Sequence, residues 1–186
     1  MHRSIAISGP LIATFTLIAA SLAFAQAPEC PAANDSSLPK AAGVYMQNGH
    51  EWIILSNPKF EKNLSWNFHS FVARPPAVSD QYLLFRNDKG TNRTHVVKPL
   101  FLVRDHPSWT VATFLFLERL RDQRLAPISG DTLTKSKREA TIHAIQKEVT
   151  CVQPTSDLGT GEYVLILYPP GSLPSKRTNF FDFGLD

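Results

Sequence analysis

The chain has 186 residues, 43% of them hydrophobic, with 19 Lys+Arg against 16 Asp+Glu and a formal net charge of +3. That length suits one domain with a sizeable core, and so small a basic surplus excludes the clustered positive face of a nucleic-acid binder. The densest basic run, Lys135-Ser136-Lys137-Arg138, reads as a solvated turn.

Residues 1–25 have the layout of a signal peptide. Arg3 supplies the positive end, an apolar stretch follows, and Ala23-Phe24-Ala25 offers small residues for cleavage before Gln26. The densest apolar run, 11–25, falls short of the roughly 20 residues that span a bilayer. The expected product is therefore soluble and exported, periplasmic or extracellular, with no membrane span after cleavage. Residues 26–40, rich in Ala, Pro, Asn, Asp and Ser, form a flexible lead-in, and 41–186 form the domain. The two cysteines of the chain, Cys30 and Cys151, both follow the leader. In an oxidising compartment they are most simply a disulfide, which would pin the lead-in onto the fold.

From residue 42 onward, short apolar, β-branched and aromatic runs alternate with turn residues. Runs 42–46 and 51–55 flank Asn48-Gly49, a strong hairpin signal. Residues 67–73 alternate until Arg74-Pro75-Pro76, and 82–86 end at Asn87-Asp88-Lys89-Gly90. Runs 94–97 and 100–104 sit either side of Pro99, which breaks a central strand. Segment 110–125 is open between strand and helix; its β-branched and aromatic residues favour strand, as does the alternation within 139–148. Glu118, inside an apolar run, must pair with an arginine such as Arg119 or Arg121 or mark where burial ends; pairing is the better reading. Run 162–168 stops at Pro169-Pro170-Gly171, and 178–185 is the last strand. The sum is an all-β, antiparallel β-sandwich.

One stretch narrows the class. In Asp157-Leu158-Gly159-Thr160-Gly161-Glu162-Tyr163, a Tyr follows an acidic, Gly-bearing corner at the start of a late strand. That is the setting of the tyrosine corner of immunoglobulin-like domains, with Tyr163 in the structural role. On Gly43-Val44-Tyr45 with Trp52, on Gly161-Glu162-Tyr163 with Pro169-Pro170-Gly171, and on the aromatic last strand, the chain resembles a group of uncharacterised bacterial exported proteins. The resemblance implies an immunoglobulin-like β-sandwich preceded by a signal peptide, and it carries no chemistry.

Catalytic signatures are sparse: G-x-S-x-G, H-E-x-x-H and Gly-rich phosphate loops do not occur. The histidines are too widely spaced to suggest a metal, so neither metal nor cofactor is expected. His106, beside Asp105 and Trp109, is a weak candidate contact or general base, although a polar turn explains it better. Trp52, Trp66 and Trp109 are weak candidates for a stacking surface. The expected function is a non-catalytic module that binds a protein or glycan partner. The alternatives are an envelope component self-associating through Phe180, Phe181 and Phe183, or a small exported hydrolase.

Overall fold

A computed structural model describes residues 29–58, 60–65, 81–106, 109–171 and 179–186. Residues 1–25, read as a signal peptide, Trp66 and the alternating run 67–73 lie outside these residues. The described chain is mostly strand: β1 (Gly43–Asn48), β2 (Glu51–Leu55), β3 (Phe60–Ser65), β4 (Gln81–Arg86), β5 (Arg93–Thr94), β6 (Phe101–Arg104), β7 (Val111–Phe116), β8 (Glu118–Leu120) and β9 (Gln123–Pro127). A short helix α1 (Gly130–Ser136) precedes β10 (Lys137–Gln146), β11 (Val149–Pro154), β12 (Gly161–Tyr168) and β13 (Asn179–Leu185).

Both open segments are strand, as their composition favours. Helix α1 and the strands β3 and β11 are elements the sequence reading lacked. The signals of α1 are Ser129 at the cap position and Asp131 in the first turn, where a negative charge favours the N-terminus. The run Lys135 to Arg138 is accordingly no turn, since it spans the end of α1 and the start of β10. Pro99 does separate two strands, but the first shrinks to Arg93–Thr94. In the first hairpin Asn48 pairs with Glu51, so the two-residue loop is Gly49-His50, one residue later than read.

The strands form two sheets, one of nine in the order β2-β1-β6-β11-β10-β7-β12-β13-β5 and one of four in the order β3-β4-β9-β8. The large sheet turns back on itself through β10, whose residues Lys137 to Glu139 pair with β7 while Ala140 to Gln146 pair with β11. The result is a sandwich-like arrangement with β12 covered on both faces. On one face Tyr163, Leu165 and Leu167 meet Val44, Met46, Phe101, Val103 and Val152 from the far half of the same sheet. On the other, Val164 and Ile166 meet Leu83, Phe85, Ala126 and Ile128 from the small sheet and its margin. A strand so enclosed must be apolar on both sides, and Tyr163 to Leu167 is. The inner core is knit by rings: Phe101 lies 5.0 Å from Phe183 and 5.4 Å from Phe114, and Tyr163 stacks on Phe183 at 5.7 Å.

Two strands begin with the same device. The Tyr163 hydroxyl donates to the Gly159 carbonyl at 2.8 Å, the corner read from sequence, and the Tyr45 hydroxyl donates to the Ala41 carbonyl at 3.0 Å. In each case a glycine at positive φ stands two residues before the Tyr, Gly43 at 156° and Gly161 at 152°. Burial pushes the Tyr163 hydroxyl above the usual phenol range, so it stays a donor across ordinary pH.

A Cβ at position 161 would lie 2.5 Å from Phe116 Cε2, besides demanding a φ that L residues avoid. Gly161→Ala should therefore cost more than Gly49→Ala, which also has positive φ but opens onto free space. The loop substitution should cost about 1–2 kcal/mol. Urea unfolding of the two variants measures the difference, and equal midpoints would show that Phe116 moves aside freely.

Candidate functional site

Three regions carry polar or exposed features out of keeping with a plain core. The first is an ion network where the two sheets meet. Arg124 on β9 is only 3% exposed, and its Nη2 donates to Asp182 Oδ2 at 2.7 Å. Its Nη1 reaches Glu162 Oε2 at 3.4 Å, its Nε donates to the Asn87 carbonyl at 3.1 Å, and the guanidinium lies 5.5 Å from the Phe85 ring centre. Glu162 also accepts from the Gly90 N–H at 2.6 Å and from Arg93 Nη1 at 2.7 Å. Arg93 Nε then bridges both carboxylate oxygens of Asp186, at 2.9 and 2.8 Å.

These bonds couple one end of the large sheet, at β12, β13 and β5, to the small one. The hydrogen bonds to Asp186 and then Glu162 drive the Arg93 pKa further up, and the Arg93 bonds hold the Asp186 carboxyl below the usual range. A buried arginine is tolerable only with such complete pairing. The network is therefore a staple, and its groups are occupied with one another. It was missed at the sequence level because Arg93, Arg124, Glu162, Asp182 and Asp186 are far apart in the chain; only the acids set within apolar strands hinted at partners.

The second region is the outer face of the large sheet. Alternation sends Tyr45, Leu102 and Cys151, which are rung partners across β1, β6 and β11, to the side opposite the inner core. Tyr45, Leu102 and Val149 form a separate cluster with Leu38 of the lead-in, flanked by Trp52 and Ile145. The Cys30–Cys151 disulfide fixes the lead-in over this face. Beside it runs β2, the edge strand of the large sheet, where Ile54 is 59% exposed.

The third region is the end of the sandwich at residues 104–109. The His106 ring stands edge-on to Phe181 at 6.0 Å, and Trp109 packs against the inner core. Asp105 and Glu148 both hold positive φ, 48° and 63°, and the Asp105 N–H donates to the Glu148 carbonyl at 2.9 Å. The neighbouring Asp105 carboxyl raises the Glu148 pKa.

Several sequence readings are corrected here. Trp52 belongs to the outer cluster and Trp109 to the inner core, so the two do not build one stacking platform. Phe180, Phe181 and Phe183 are buried and offer no surface for self-association. Glu118 is exposed and marks where burial ends after Leu117, whereas Arg119 pairs with Asp88 at 2.8 Å. The Ser-x-x-Lys pattern, which the sequence reading held to be absent, occurs at Ser37-Leu38-Pro39-Lys40 and Ser56-Asn57-Pro58-Lys59, but the first lies in the lead-in and Ser56 to Pro58 follow β2, so neither serine is on the helix that would bring the lysine back over it. Among the described residues no helix is long and apolar enough to cross a membrane.

Comparison of the chain with protein-family models, with curated proteins and with solved structures finds no match.

Two predictions follow from the charges. Arg124→Met would leave Glu162 and Asp182 facing each other with less compensation, and should lower unfolding free energy by about 3–5 kcal/mol in urea titration. The Glu148 pair works in the opposite sense. A carboxyl whose pKa is raised by folding adds stability at low pH and loses it as pH rises through the folded value. Glu148→Gln should therefore raise the melting temperature at neutral pH, with the gain fading in acid. A gain independent of pH would rule out the paired carboxyls as its source.

Proposed function

We propose that the chain is an exported, non-catalytic, immunoglobulin-like β-sandwich module that binds a partner protein by strand addition along β2. The observation that carries this is Ile54, a large apolar side chain 59% exposed on an edge strand. Edge strands offer a row of main-chain donors and acceptors, and native folds commonly protect them with several charges or proline. In Glu51-Trp52-Ile53-Ile54-Leu55 the single charge stands at the start. An added strand gains main-chain hydrogen bonds from the edge and a side-chain pocket from the exposed apolar residue.

Export is supported by the leader-like residues 1–25 and by the Cys30–Cys151 disulfide, a bond that persists in oxidising compartments. The immunoglobulin-like assignment is supported by the Tyr163 corner and its counterpart at Tyr45. A protein partner is favoured over a glycan because Trp52 and Trp109 are each half-buried within separate clusters, leaving little ring face for sugar stacking.

The test is affinity capture from the envelope fraction of the host, followed by amide hydrogen exchange on the recovered complex. New protection is expected at residues 51–55, and Ile54→Lys should weaken capture at least tenfold, about 1.4 kcal/mol. Ile142→Lys, at the other exposed isoleucine, should leave capture unchanged. Protection confined to β10, or sensitivity to Ile142→Lys instead, would move the binding edge away from β2.

A further inference from the structure

Residues 29–41 cross the outer face of the large sheet without joining it. Their backbone hydrogen bonds are local: the Asp35 N–H donates to the Ala32 carbonyl at 3.0 Å and the Leu38 N–H to the Asp35 carbonyl at 3.3 Å. The Ser37 N–H donates to Asp35 Oδ1 at 2.8 Å. Among the described residues, no main-chain N–H of this segment donates to a strand. Three attachments hold it instead. Cys30 is bonded to Cys151 on β11, Leu38 is buried against Tyr45, Leu102 and Val149, and the Ala41 carbonyl accepts the Tyr45 hydroxyl. Beneath it lies the apolar cluster of Tyr45, Leu102 and Val149, with Trp52 and Ile145 packed at its margin.

We propose that residues 29–40 are a redox-released cover, latched by the Cys30–Cys151 disulfide and hinged at Ala41. The inference is independent of strand addition at β2. Local hydrogen bonds travel with the segment when it lifts, so opening breaks no main-chain pairing with the sheet. What resists opening is the covalent latch and the burial of one leucine. The burial of a single leucine is enough to bias the segment but not to lock it.

The reductant is a dithiol, protein or small molecule. One of its thiolates attacks the sulfur of Cys30, which is partly exposed, whereas Cys151 is fully buried. The Cys30–Cys151 bond breaks and Cys151 leaves as a thiolate that takes up a proton. The second thiol of the reductant then displaces Cys30 from the mixed disulfide. Two electrons and two protons pass to the cysteines, and the dithiol becomes a disulfide. Cys151 must depart from an apolar face, which slows the exchange and keeps the cover shut until the reductant arrives.

The test compares hydrogen exchange and binding of an apolar fluorescent dye in the oxidised protein, in the protein reduced with dithiothreitol, and in a Cys30→Ser/Cys151→Ser variant. Thiol titration confirms that both cysteines are free after reduction. The expected result is at least tenfold faster exchange at residues 32–38 and a several-fold rise in dye fluorescence, with the amides of β12 and β13 as protected as before. Unchanged exchange at 32–38, or no rise in dye binding, overturns the proposal. So does loss of protection throughout β12 and β13, which would make the disulfide a staple of the whole fold.

Discussion

Strand β12 has no face toward water, and most of the architecture answers to that. Its side chains alternate between a core built with the far half of its own sheet and a core shared with the small sheet. Any polar group on such a strand must find a partner in protein. Glu162 stands at its margin, facing the small sheet, and the two arginines and the Gly90 amide gather around it, with Asp182 of β13 and Asp186 just beyond that strand completing the pairing. The network costs desolvation and gives registry in return: Arg124 can reach both Asp182 and Glu162 only when β9 lies in one position over β12 and β13. Gly184 shows how closely this is fitted, because a Cβ there would collide with the Arg93 guanidinium.

The outer face obeys a weaker constraint. A half-sheet buried on its inner side still presents every second residue outward, and here those residues include Tyr45, Leu102 and Cys151. The fold covers them with a segment that has no helix or strand, tied by one covalent bond, one buried leucine and one tyrosine hydrogen bond. Cover and core therefore differ in kind: the core is held by many interlocking rings, the cover by three discrete attachments. An element of that sort can move without disturbing the layers beneath it, and it lies beside the exposed edge at Ile54.

Much of the layout was legible in the chain because strand signals are local. Alternation and β-branched content located β1, β2, β4, β6, β12 and β13, and turn residues such as Asn48-Gly49 and Pro169-Pro170-Gly171 marked their limits. Gly161-Glu162-Tyr163 announced its corner because the bond it makes closes over four residues. Helix α1 escaped because two turns of Gly-Asp-Thr-Leu-Thr-Lys-Ser carry no apolar periodicity, only a cap residue and one acid. Glu118 was misread because sequence shows an acid inside an apolar run but not that the run surfaces at that residue.

By itself, then, the sequence determined the all-β class, the position of most of the strands, the Cys30–Cys151 pairing and the Tyr163 corner, since each depends on neighbours along the chain or on there being only two cysteines. Tertiary structure alone decided which strands pair, that β10 carries one sheet back upon itself, that Arg124 meets Asp182 and Glu162, and that Ile54 is exposed while Phe180, Phe181 and Phe183 are not. Those outcomes depend on contacts between residues tens of positions apart, whose energies exist only once the layers have closed and water has been excluded between them.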